Sequence, residues 1–98
     1  MMPVPAVVGL LVLDLYIPDA RTLKDKRRVI RSLVDRLKTR YGVSVAEVDQ
    51  LDKRCQATIA VACVSNERAQ VERVLSHVDN AISREHDTVV ETSSIEVL

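Results

Sequence analysis

Residues Ala6–Ile17, AVVGLLVLDLYI, are apolar at nearly every position and rich in β-branched side chains. That is the pattern of a central strand, and such a strand has to be covered. Its cover is written directly behind it. Pro18 and Asp19 break the run, and apolar residues then recur at Ile30, Leu33, Val34, Leu37 and Tyr41, the spacing of one helix face. Thr22 is placed to cap this helix, Asp25 to close a capping box and Gly42 to stop it.

The pairing of strand and helix then repeats. CQATIAVACVS (Cys55–Ser65) reads as a second long apolar strand, and Ser65 and Asn66 are expected to cap a second helix. The stripe of that helix is Val71, Val74, Leu75, Val78 and Ile82. Before the QLDKR turn, VSVAEVD alternates as a half-exposed strand; TVVETSSIEVL closes the chain as another, with a polar middle where a bulge fits. The order is β-α-β-β-α-β, without a long linker, repeat or low-complexity segment. It predicts one domain over 1–98, α+β in class. Its arrangement is ferredoxin-like, a four-stranded antiparallel sheet with two helices on one face.

Two helices on one side leave the other side of the sheet bare. In the first strand Val8, Leu10, Val12 and Tyr16 share one face, and Val7, Leu11, Leu13, Leu15 and Ile17 share the other. Only one set can meet the helices, and the remaining set forms an apolar patch of the kind that marks interfaces. The pattern alone fits either set; the one holding Val8, Leu10 and Val12 is taken as the expected interface of a homo-oligomer, most simply a dimer.

Charge is distributed unevenly. The chain has a formal net charge of +0, yet Arg21–Arg40 holds nine basic and two acidic residues, a local +7 that the rest balances. On a helical wheel Lys24, Arg27, Arg28, Arg31 and Lys38 gather on one flank, with Arg36 and Arg40 on the other. Lys26 falls near the apolar face, in the first turn, where its stem can snorkel while the ammonium stays wet. Surface helices commonly carry charges, and arginine is a good helix former. Here the charges oppose the helix. Lys24–Arg28 and Arg27–Arg31 are like-charge i,i+4 pairs, each costing about 0.2–0.5 kcal/mol. Cations closest to the helix start cost a further 0.3–1 kcal/mol or so each against the dipole.

A bound anion would reverse the sign of these terms, with free N–H groups at the helix start and nearby cations converging on a phosphate. Lys24, Lys26, Arg27, Arg28, Arg31 and Lys38 are the candidate nucleic-acid contacts. An acidic protein surface, another protomer included, is the alternative ligand. The chain has no Phe or Trp and two Tyr, so a sheet that stacks bases is disfavoured. RNA would be held by its backbone, with weak sequence preference.

Signals for catalysis are poor. His77 and His86 lack metal-ligand spacing, and REHD (Arg84–Asp87) reads as a surface turn. Asp14, which interrupts the first strand, reads either as a buried acid or, as preferred, as one that faces solvent where the strand ends. Gly9 and Gly42 are the two glycines, too few for a phosphate-binding loop. No enzymatic activity, metal or cofactor is expected. Cys55 and Cys63 would lie roughly 26 Å apart along a strand at ~3.3 Å per residue, too far for a disulfide. The most apolar stretch, Val4–Leu13, is too short to span a membrane and has no basic residue before it. A cytoplasmic location without membrane association is the expectation.

TLKDKRRVIRSL, then YGVSVAEVD and the long strand ending VSN, resemble the YlxP-like family of small bacterial proteins of unknown function. The resemblance runs over nearly the whole chain. Its most specific piece is a [ST]LK-x-KR helix start, matched by Thr22, Leu23, Lys24, Lys26 and Arg27, followed by SVAEVD at Ser44–Asp49. It implies a ferredoxin-like fold. It also implies a role in ribosome maturation or translation, because members are often encoded beside a translation initiation factor and a ribosome-binding factor. The turn before the third strand often carries a tryptophan in the family; QLDKRCQ here has none. Glu47 and Asp49 match the family pattern. As a pair on one side of their strand they could bind a metal or act in catalysis, although an ion pair with Lys53, Arg54 or a residue of the basic helix is favoured. The expected function is a non-enzymatic RNA- or ribosome-associated protein. The alternative is an oligomeric interaction module whose basic helix docks an acidic protein.

Overall fold

The computed structural model describes residues 4–98. The elements run β1 (Val7–Tyr16), α1 (Leu23–Tyr41), β2 (Ser44–Asp49), β3 (Gln56–Ser65), α2 (Arg68–Ser83) and β4 (Val89–Val97). The sheet has the order β2-β3-β1-β4, and every neighbouring pair is antiparallel. This is the ferredoxin-like sandwich that the element order implies.

One face of the sheet meets the helices. Leu11, Leu13 and Leu15 of β1 and Ile59 and Val61 of β3 are buried under Ile30, Leu33 and Leu37 of α1 and Val71, Leu75, Val78 and Ile82 of α2. Gly9 gives α2 room to cross β1, because a β-carbon there would force the side chains of Val71 and Leu75 to shift. α1 begins as its sequence predicts. Thr22 caps it and accepts from Asp25 N at 3.0 Å, Asp25 Oδ2 accepts from Thr22 N at 3.2 Å, and Gly42 ends the helix at φ 63°. The start of α2 differs from expectation. Its N-cap is Glu67, with no side-chain cap, while Ser65 still belongs to β3 and accepts from Glu67 N at 3.3 Å.

The opposite face carries no helix. The residues pointing there are Val8, Leu10, Val12, Asp14 and Tyr16 of β1, beside Val64, Ala62, Ala60, Thr58 and Gln56 on β3. Of the two sets on β1, the one holding Val8, Leu10 and Val12 is thus the set without a cover. β4 does contain a bulge in its polar middle: Asp14 pairs with Thr92 and Leu15 with Val90, leaving Glu91 unpaired.

Candidate nucleic-acid interface

The first turns of α1 sort their charges by direction. Lys24, Arg27, Arg28 and Arg31 are exposed and together line a shallow recess of about 410 Å³ that no acidic side chain lines. Among the described residues none of the four has an ion-pair partner. Asp25, the nearest acid in sequence, is already engaged. Its Oδ2 accepts from Arg21 N at 3.0 Å as well as from Thr22 N. The bond from Arg21 first, then those with Thr22 and the nearby charge of Arg28, holds its carboxyl below the usual aspartate range. The same capping box takes up the N–H groups of Thr22 and Asp25, so of the first-turn donors those of Leu23 and Lys24 are left to an anion, beside the side chains.

Lys26 departs from expectation. Its side chain is fully buried, with Nζ 2.7 Å from the Gln50 carbonyl oxygen and 2.7 Å from Glu47 Oε2. The contact with Glu47 is an ion pair outside hydrogen-bond geometry, and no other polar group among the described residues satisfies that oxygen. Lys26 is therefore removed from the anion-binding set, and its ammonium is not wet. It ties the start of α1 to the end of β2.

Glu47 and Asp49 do not form a pair. Glu47 lies opposite Ile59 on the helix side, and the ladder then shifts, leaving Val48 unpaired and setting Asp49 opposite Thr58. The acids end on different faces. Gln50 follows in the left-handed region at φ 60°, with its carbonyl held by Lys26 and its side chain donating to Thr58 Oγ1 at 3.3 Å. The two sequence pieces that most specifically carry the family resemblance, TLK-x-KR and SVAEVD, are thus joined physically by Lys26 and Glu47.

Lys38 is exposed near the last turn of α1, away from the recess. A cation there is favoured by the helix dipole and needs no anion to explain it. Arg36, on the other flank, pairs with Glu85 at 2.9 and 3.1 Å across a groove of about 810 Å³ between the C-terminal ends of the helices. His86 lies in that groove, in the exposed turn after α2, and His77 is exposed on α2. Among the described residues no three His, Cys, Asp or Glu side chains are grouped as metal ligands. Cys55 and Cys63 are free thiols; burial pushes that of Cys63 up.

Asp14 faces the uncovered side of the sheet, as preferred, but not at the end of its strand. It sits within β1, on the open face, where Thr58 Oγ1 donates to Oδ1 at 2.7 Å and Thr92 Oγ1 to Oδ2 at 2.8 Å. The bond from Thr58 first, then that from Thr92, lowers its pKa against the opposing effect of burial. The pairing that brings these threonines beside Asp14 depends on strand register and on the β4 bulge, neither of which can be read from Asp14 alone.

A ferredoxin-like sandwich with a basic flank on its first helix is the class that these features define. Residues 8–95 match the model of a family described as "protein of unknown function (DUF503)", and the chain belongs to that family. It is 31% identical over 72 residues to an uncharacterized protein of Bacillus subtilis (strain 168), YlxP, covering 74% of this chain and 78% of that one. Among solved structures it resembles a de novo designed protein, Foldit4, with a TM-score of 0.54 and 13% identity over 95% of this chain and 96% of the other. That likeness concerns the fold alone. No helix among the described residues is long and apolar enough to cross a membrane.

Proposed function

We propose that this protein is a non-enzymatic, RNA- or ribosome-associated cytoplasmic protein that holds phosphate groups on the outer flank of α1. The observation that carries this reading is the recess lined by Lys24, Arg27, Arg28 and Arg31 without an acid. Four unpaired cations at i, i+3, i+4 and i+7 weaken the helix that bears them, and a polyanion turns this repulsion into attraction. Arg27, Arg28 and Arg31 offer forked donors to phosphate oxygens, Lys24 supplies a mobile point charge, and Lys38 extends the track toward the helix end. Contacts of this kind position a backbone and read little sequence. The gene neighbourhood that the family resemblance implies, beside translation and ribosome-assembly factors, suggests ribosomal RNA as the setting.

The test is RNA binding measured over a range of salt. If four phosphates are neutralised, the logarithm of affinity should fall against that of salt with a slope of roughly −3 for single strands. Replacing Arg27, Arg28 and Arg31 together by Glu should abolish binding while the circular dichroism spectrum stays unchanged. Affinity that ignores salt, or survives the triple replacement, would overturn the proposal.

A further inference from the structure

We infer that the open face of the sheet is covered by a second copy of this chain. The surface has the chemistry of a buried layer. Val8, Leu10 and Val12 stand on β1, and the register sets Leu10 beside Ala62 and Val12 beside Ala60 on β3. Ser44 and Ala46 of β2 continue the row beyond Ala62 and Ala60. Large side chains on β1 therefore stand beside a strip of small ones on β3 and β2, so the ridge of one copy can seat on the strip of another at a sheet spacing of ~10 Å. At one end of the face Val64 is 68% exposed, which is costly for a valine that nothing covers.

Charge rules out a polyanion and leaves the apolar residues to carry the contact, since a second copy brings the same acids. No lysine or arginine occurs among the paired positions on this face, and its acids include Asp14 and Glu96. A polyanion finds nothing to hold it there and would be repelled. Asp14 has a hydroxyl donor on each oxygen, from Thr58 and Thr92, which reduces but does not remove the cost of bringing an apolar partner against its charge. The concentrated positive charge lies on α1, on the far side of the sheet. Two copies that join by their open faces keep their basic helices outermost, whereas contact through α1 would press two such segments together.

The area is sufficient. Four strands ~4.8 Å apart and roughly 30 Å long give a footprint near 570 Å² per copy, which for two copies clears the ~1,000 Å² expected of a specific interface.

Sedimentation equilibrium of the full chain tests this. The expected mass is about twice the 10.9 kDa of one chain. Leu10→Glu should reduce it to a single chain while retaining the native circular dichroism spectrum. Should Leu10→Glu fail to fold, Val64→Glu, at an exposed site on the same face, should weaken the dimer at least tenfold. A wild-type chain that is monomeric at every soluble concentration overturns the inference. So does a dimer indifferent to substitution in a folded variant, which would point to pairing through a free sheet edge, β2 or β4.

Discussion

At the scale of single residues, the TLK-x-KR start of α1 divides into scaffold and surface. Thr22 and Lys26 build the fold, whereas Lys24 and Arg27 face solvent. Lys26 and Glu47 are a buried ion pair, and breaking one side of such a pair is far worse than replacing both. Glu47→Ala alone should cost about 3–5 kcal/mol in urea unfolding, because the ammonium remains buried without its counter-ion. The double variant Lys26→Met/Glu47→Leu should recover most of that loss. A single variant as stable as wild type would deny the pair its anchoring role. Asp14 predicts a pH dependence. Its pKa is lowered in the folded protein, so its contribution to stability is present above the unfolded aspartate value near 3.8 and is lost as pH falls through the folded value. The acid-side decline in melting temperature should be shallower in Asp14→Asn than in wild type, and identical curves would assign the decline to other carboxylates.

At the scale of elements, what could be read from sequence was whatever repeats within an element. The stripes of α1 and α2 have helical period, and the caps Thr22 and Gly42 sit at the ends of the first stripe, so helix positions and the core face were legible. The outward direction of Lys24, Arg27, Arg28 and Arg31 follows from the same wheel. Pairings between elements were not legible. Lys26 lies on the core side of that wheel, which permits either snorkelling or burial; only the arrival of Glu47 from β2 decides between them. A single unpaired residue, Val48, sends Glu47 and Asp49 to different faces, and strict alternation cannot anticipate such a bulge. The cap of α2 was misplaced for a related reason. Ser65 is a good cap by type, but its pairing with Val7 keeps it in the sheet. The stripe of α1 also makes a prediction as a unit. Because its cations repel one another, Arg28→Gln should leave the melting temperature unchanged or raise it in low salt, while weakening RNA binding. A fall in both would mean that Arg28 supports the fold.

At the scale of the whole molecule, the two proposed surfaces lie on opposite sides of one sheet, and this geometry couples them. A dimer closed through the open faces stacks helix, sheet, sheet and helix. With ~10 Å between sheets and about the same from each sheet to its helix layer, the basic flanks of the two copies are separated by about 30 Å. An RNA long enough to pass from one flank to the other engages the second at a high effective concentration; a short oligonucleotide meets one flank at a time. Replacing Leu10 and Val12 by Gln removes apolar contact without adding charge, so it separates the chains and leaves each α1 flank intact. Affinity for the long RNA should then fall by ~10-fold or more, within the range of lost bivalency, while affinity for the short one stays the same. Equal losses at both lengths would show instead that the face binds RNA directly. No loss at either length, in a variant shown to be monomeric, would mean that one flank suffices and that the dimer serves another end.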